Sequence, residues 1–207
     1  MAKAILFSEG ALLDSGELQF LALNSALEAQ GLGVTLQEYV QRLGFLSLPE
    51  RLDYLAHTRQ LEPILVESIR LETLHRWHCA IDLCVRPDRL HQALMLTLRT
   101  FGVRIAVCST APQDLLGSAL EALGLRLWVD VAIGSDQHVR LDDLFSHAAG
   151  TLGLPLSECV VVEDSPLGLM RAVASGFPQI IHLERPQQLS IQLLRQYLPS
   201  EPLPRAA

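Results

Sequence analysis

The chain has 207 residues, of which 49% are hydrophobic and 19% charged, so it is long enough to bury a sizeable core without a disulfide framework. Its net charge of −7, with no run of basic residues, argues against nucleic acid or an anionic membrane surface as a partner. The apolar runs are shorter than a membrane span and the N-terminus lacks the pattern of a signal peptide, which predicts a cytoplasmic protein.

The first third of the chain predicts one strand followed only by helices. Residues 4–7 are apolar and end at the turn Glu9-Gly10, and residues 16–30 have apolar side chains at helical spacing. The next segments repeat that helical spacing, with Thr35 and Ser47 placed as N-caps. They predict helices over 35–43, 49–60 and 63–84.

After Pro87 the predicted elements alternate between helix and strand. The helices are expected over 89–101, 112–123, 142–152 and 166–174, and the strands over 103–108, 129–133, 158–162 and 179–183. This alternation is typical of an α/β protein with a Rossmann-like parallel sheet covered by helices. We therefore predict a core domain, residues 1–15 and 86–207, and an inserted all-helical cap domain, residues 16–85. The final residues, 199–207, are predicted to be disordered.

A parallel sheet of this kind binds its ligands beyond the carboxyl ends of the strands. Polar residues follow four of the predicted strands at that edge. The four loops are Ser8-Glu9-Gly10, Ser109-Thr110, Ser135-Asp136 and Glu163-Asp164-Ser165.

Three stretches carry a resemblance to a known family. They are VVVEDSPLGLMRAVASGF (160–177), GVRIAVCSTAP (102–112) and GALLDS (10–15), supported by DLFSHAA (143–149). Together they resemble the second half of the first motif, the second motif and the fourth motif of the haloacid dehalogenase superfamily, in the branch of β-phosphoglucomutase-like phosphatases. The resemblance implies a Rossmann-like core with a helical cap inserted after the first motif.

The chemistry that this resemblance implies needs residues that the chain lacks. In the family an Asp attacks phosphorus to give an acyl phosphate, and an Asp two positions later acts as the acid and base. Counting back from Gly10, Phe7 holds the nucleophile position and Glu9 the acid/base position. A one-residue deletion in the turn would place Ser8 there instead. Neither residue supplies the carboxylate that the reaction needs.

The lysine that offsets the phosphoryl charge is missing too, because Lys3 is the only lysine in the chain. Arg140 lies near the expected third motif and could supply a positive charge, with a different geometry. The resemblance implies phosphate binding by Ser109, Thr110 and Arg140. Ser109 has a second interpretation, in which it merely caps the following helix.

Glu163 and Asp164 correspond to the acids that hold Mg²⁺ in the family, the metal that the resemblance implies as cofactor. Without a carboxylate from the first motif we expect this Mg²⁺ site to be weak or vacant. The alternative is an acid pair kept to support a helix N-terminus. Asp14 is a further carboxylate near the turn. Its simpler role is to orient the junction between the predicted core and cap domains.

The sequence therefore favours a catalytically degenerate, phosphatase-like protein that acts by binding a protein partner or a small phosphorylated ligand. The alternative is an active Mg²⁺-dependent phosphohydrolase or phosphomutase-like enzyme with a rearranged site that uses Glu9 or Asp14. A different reaction in the same cleft stays open.

One further pattern is not part of the resemblance to this family. In LHRWHC, His75, His78 and Cys79 share a helix face at a spacing that can bind zinc, although helix amphipathicity explains it equally well.

Overall fold

A computed structural model describes residues 1–44, 46–137 and 143–202 of the chain. The chain forms two compact units. Unit 1 contains Met1–Asp14 and Arg86–Ala207, and unit 2 contains Ser15–Val85. Within the described ranges, every helix is too short or too polar to cross a bilayer.

The core unit is built on a parallel β-sheet with the strand order β3-β2-β1-β4-β5. Every strand pair in this sheet is parallel. The alternation of helices and strands along the chain predicted this α/β arrangement, and the prediction is confirmed. The strands are β1 Ala4–Ser8, β2 Arg104–Cys108, β3 Val131–Ile133, β4 Cys159–Glu163 and β5 Ile180–His182.

Strand β1 lies at the centre of the sheet and is buried along its whole length. It pairs with β2 on one side and β4 on the other, so that Phe7 lies between Val107 and Val162. Burial on both faces explains why β1 and β4 are continuously apolar up to their last residues. Their parallel direction brings the carboxyl ends of β1, β2 and β4 to the same edge.

Helices account for most of the remaining described residues. They are α1 Gly16–Glu28, α2 Leu36–Glu38, α3 Leu48–Arg59, α4 Pro63–Cys84, α5 Arg89–Thr100, α6 Gln113–Ala122, α7 Leu144–Thr151, α8 Pro166–Ala174 and α9 Ile191–Leu194. Except for α2, which is shorter than predicted, and α9, where no helix was predicted, their ends fall close to the predicted ones. The predicted start of α7 at residue 142 lies outside the described residues.

One face of the sheet packs against α7. Leu6, Ala106 and Val161 from three neighbouring strands form a buried cluster with Phe145 and Ala148 of that helix. This packing fixes the strands whose carboxyl ends carry the polar loops. The strands that carry the site are therefore packed against a dense apolar core.

In the part of the second unit that the structure describes, all regular structure is helical, and one helix differs from the prediction. The helix expected over 35–43 is α-helical only in α2 and then becomes a π-helical turn, Tyr39–Leu43. The buried Arg51 side chain explains how the turn is held, because it donates to the carbonyl oxygens of Leu43 at 2.9 Å and Gly44 at 3.3 Å. These are carbonyls that a continuing α-helix would have used itself.

Candidate functional site

The candidate site lies in the core unit, at the edge where β1, β2 and β4 end. Ser8 is the last residue of β1, and its Oγ donates to Asp164 Oδ1 at 2.7 Å. Glu163 is the last residue of β4, so the acid pair begins where that strand ends. The sheet thereby brings a hydroxyl from the first loop against a carboxylate from the fourth.

Phe7 and Ser8, the two residues left open as occupants of the first-motif position, have different surroundings. Phe7 is completely buried, one residue inside β1. Ser8 contributes the hydrogen-bonding side chain at the strand end. Which of them corresponds to the family's nucleophile stays a prediction, but neither places a carboxylate there.

Glu9 follows in a 3₁₀ turn, Glu9–Ala11, and its side chain is buried. Ser109 Oγ donates to the Glu9 carboxylate and accepts a hydrogen bond from the Ala111 N–H at 2.9 Å. Burial raises the pKa of Glu9 to about 7, although the Ser109 hydrogen bond lowers it, and the charge of Asp164 adds to the rise. A carboxyl group with this pKa exchanges its proton near neutral pH.

Ser109 was predicted either to bind phosphate or to cap the following helix, and the hydrogen bonds around it bear on the second of these roles. The first N–H of α6, from Gln113, donates to Asp136 Oδ1 at 2.8 Å, so Asp136 provides that interaction at the start of the helix. Ser135 N–H donates to the Ala111 carbonyl at 2.9 Å, which joins the loops after β2 and β3. Ser109 thus links the Glu9 turn to this pair of loops.

Glu163 folds back onto the start of α8. Its Oε1 accepts hydrogen bonds from Asp164 N–H at 3.0 Å and from both the N–H and the hydroxyl of Ser165 at 2.9 Å. The Ser165 hydroxyl in turn accepts from Gly168 N–H at 3.0 Å, as an N-cap. Burial and the neighbouring Asp164 charge raise the pKa of Glu163 above its ordinary value. A helix N-terminus is a favourable place for such a carboxylate.

Two glycines let these carboxylates approach the backbone, a role that the sequence analysis missed. A Cβ atom at Gly10 would lie 2.1 Å from Asp164 Oδ2, and one at Gly168 would lie 2.3 Å from Glu163 Cδ. Both distances are far below van der Waals contact. Gly168 lies close to the acid pair in sequence, but Gly10 does not, so its contact with Asp164 follows only from the fold.

The acid pair predicted to bind Mg²⁺ makes hydrogen bonds to neighbouring protein groups. Across residues 1–44, 46–137 and 143–202, no three His, Cys, Asp or Glu side chains are grouped so that they could hold a metal ion. Glu163 Oε1 and Asp164 Oδ1 are already used as acceptors. Mg²⁺ takes nearly octahedral oxygen coordination and is usually held by one or two carboxylates together with water, so Mg²⁺ binding by this pair stays a prediction.

Two predicted site residues that the structure describes, Asp14 and Thr110, make no side-chain hydrogen bond to this cluster. Asp14 is exposed, and Thr110, next to Ser109, is partly buried. Arg140 lies outside the described residues. Ser165 joins the cluster although the prediction gave it no role; Ser-Pro at a helix start was the signal for its cap.

We expect Glu9→Gln to change the pH dependence of stability. Between about pH 4.5 and 7 the unfolded chain gives up the Glu9 proton while the folded chain keeps it, so the wild type loses stability as pH rises. The variant lacks this loss and should gain up to about 3 kcal/mol relative to wild type across that range. Urea unfolding of both proteins in EDTA at about pH 5 and pH 8 measures it. A pH-independent difference would contradict the account.

We expect Gly10→Ala to lower the free energy of unfolding by about 1–3 kcal/mol, because the new methyl group would displace Asp164 and break its bond to Ser8. Gly117→Ala is the matched control. Gly117 lies inside α6 with nothing within 4 Å of its added Cβ, so this change should stabilise the protein by about 0.5–1 kcal/mol. Thermal unfolding compares the two, and equal effects would be contrary to this description of Gly10.

Solved structures with the same fold include a CbbY protein and a β-phosphoglucomutase. CbbY from Rhodobacter sphaeroides, crystallised with xylulose 1,5-bisphosphate, is 22% identical, with a TM-score of 0.77 over 91% of this chain and 96% of that one. β-Phosphoglucomutase from Clostridium difficile is 14% identical, with a TM-score of 0.80 over 95% and 97%. At these identities the likeness shows the fold.

Sequence comparisons give the family. Two Arabidopsis thaliana proteins match over 87 residues, 40% of this chain: SUPPRESSOR OF QUENCHING 1, chloroplastic, at 36% identity, and a CBBY-like protein at 37%. The matches span only 8% and 27% of the lengths of those relatives. The sequence model of the haloacid dehalogenase-like hydrolases matches residues 9–176. The chain belongs to the haloacid dehalogenase-like hydrolase family.

Proposed function

We propose that this chain is a catalytically degenerate member of its family, which acts by binding a partner rather than by transferring a phosphoryl group. The observation that carries the proposal is the end of β1, where Phe7 is buried in the core and Ser8 is hydrogen-bonded to Asp164. Neither side chain can form the acyl phosphate on which the family's reaction depends.

A serine at this position would not replace the missing aspartate. Attack by the Ser8 hydroxyl on a phosphomonoester would give a phosphoserine, whose ester bond is much less readily hydrolysed than an acyl phosphate. Turnover would stop after one event. The structure also holds the Ser8 hydroxyl 2.7 Å from the Asp164 carboxylate, which makes it part of a packed polar cluster.

Charge also opposes phosphoryl transfer at this edge. Glu9, Glu163 and Asp164 lie together, and the single lysine of the chain, Lys3, precedes β1 and pairs with Glu158 at 2.9 Å, at the other end of the strands. A phosphate dianion beside three carboxyl groups needs positive charge to offset the repulsion. Arg140 is the residue of this chain that we propose for that task if a phosphorylated ligand binds.

The partner is therefore a protein or a small phosphorylated ligand. The acidic character of the cluster favours a protein, whereas the solved relatives that hold phosphate or xylulose 1,5-bisphosphate favour a phosphorylated ligand. We propose Ser109 and Thr110 as phosphate-binding residues for that second case. Glu163 and Asp164 would be a weak or vacant Mg²⁺ site, kept because Glu163 holds the start of α8 and Asp164 binds Ser8. Cytoplasmic localisation stays a prediction.

One observation favours the alternative, an active phosphohydrolase. Glu9 occupies the family's acid/base position by count from Gly10, and burial gives it a pKa of about 7, which suits proton transfer at neutral pH. That enzyme would still need a nucleophile, for which Asp14 is exposed and Ser8 is engaged with Asp164. The alternative accordingly requires the turn after β1 to rearrange.

We expect the purified chain to release no phosphate from a panel of sugar phosphates and other phosphomonoesters with Mg²⁺, because nucleophile and lysine are both absent. An Asp164→Asn variant prepared in parallel measures the background from contaminating phosphatases. Wild-type release equal to that background supports the proposal. Mg²⁺-dependent release that exceeds it, and that Glu9→Gln abolishes, would establish the active-enzyme alternative.

A further inference from the structure

Helix α4 of the helical unit presents an exposed stripe that the proposed function does not use. Along this helix Ile64, Leu71, His75 and Cys79 follow one another at intervals of seven, four and four residues, which places them on one face. Ile64 is 83% exposed and Leu71 is 55% exposed. His75 and Cys79 are exposed as well.

The His75 and Cys79 side chains already stand at the spacing of two ligands on one metal ion. His75 Nε2 lies 3.8 Å from Cys79 Sγ. Two ligands on a tetrahedral zinc ion, with Zn–N about 2.0–2.1 Å and Zn–S about 2.3 Å, lie about 3.6 Å apart. A shift of a few tenths of an ångström therefore turns the observed contact into a chelate.

This pair supplies only half of a closed zinc site. A structural zinc ion takes four ligands, and imidazole nitrogen with thiolate sulfur is a donor set that suits it. Within one chain, no third metal-binding side chain among the described residues joins His75 and Cys79. We propose that these two residues chelate Zn²⁺ and that a second copy of this chain supplies the same two residues.

The rest of the stripe agrees with a second copy as the occupant. A two-fold axis beside α4 would bring each His75–Cys79 pair to the other, giving a site with two nitrogens and two sulfurs. The same approach would cover Leu71, whose apolar surface is otherwise open to water. Zinc binding displaces the thiol proton of each Cys79, so the site closes with two thiolates and two neutral imidazoles.

Cobalt titration of the reduced, metal-free full chain tests the site, because a thiolate ligand gives tetrahedral Co²⁺ a charge-transfer absorption. We expect that absorption to saturate at one metal per two chains, and light scattering to show that Zn²⁺ doubles the molecular mass. Cys79→Ser and His75→Ala should each abolish both effects. These side chains are exposed, so unchanged thermal unfolding in EDTA will confirm that both variants fold.

The matched controls lie on the same helix. Cys84 is also exposed but has Ala80, not a histidine, four residues before it, and His78 Nε2 faces Asp82 Oδ2 at 3.9 Å. Cys84→Ser and His78→Ala should keep both effects. The proposal is overturned if wild type shows no thiolate absorption, if Cys79→Ser retains it, or if the metal is bound by a single chain.

Discussion

Three carboxyl groups share one edge of the sheet, and the protein must hold them there against their mutual repulsion. Hydroxyl groups and backbone N–H groups stabilise the carboxyl groups by hydrogen bonds. Ser8 donates to Asp164, Ser109 to Glu9, and Ser165 to Glu163. Burial raises the pKa of Glu9 and of Glu163, which lowers the negative charge that has to be accommodated near neutral pH. The cluster is thus held by its own hydroxyl groups and by nearby backbone N–H groups, and its side chains join three of the four loops.

The fold of the family and the reaction of the family depend on different residues of the chain. The parallel sheet, the inserted helical segment and the acid pair before α8 are all present, and the family assignment rests on most of the chain. The reaction, in contrast, depends on one carboxylate at the end of β1 and one lysine. The count from Gly10 predicts Phe7 or Ser8 at the first position, and Lys3 is the only lysine in the sequence. Function follows from the site and not from the fold, so family membership alone does not make this chain a phosphatase.

The fold was predictable because its signals are local and repeated. Alternating helices and strands after Pro87 specify a parallel sheet, and parallel strands necessarily bring their polar ends together. Single side-chain contacts were not predictable in the same way. Counting back from Gly10 indicated Phe7, with Ser8 as the alternative, and which of them matches the nucleophile stays a prediction. The hydrogen bond from Ser8 to Asp164 joins residues that are far apart in sequence, so the count could not reveal it. The π-helical turn held by Arg51 likewise depends on a partner remote in sequence.

The most direct test of the central claim does not require the substrate to be known. A phosphatase that works through a phosphoenzyme also runs its hydrolytic step in reverse, so it exchanges the oxygens of inorganic phosphate with water. Incubating the chain with Mg²⁺ and phosphate in ¹⁸O-labelled water, and reading the phosphate by mass spectrometry, measures this exchange. A degenerate site predicts exchange no faster than in protein-free buffer. Mg²⁺-dependent exchange that is lost in Glu9→Gln would contradict it.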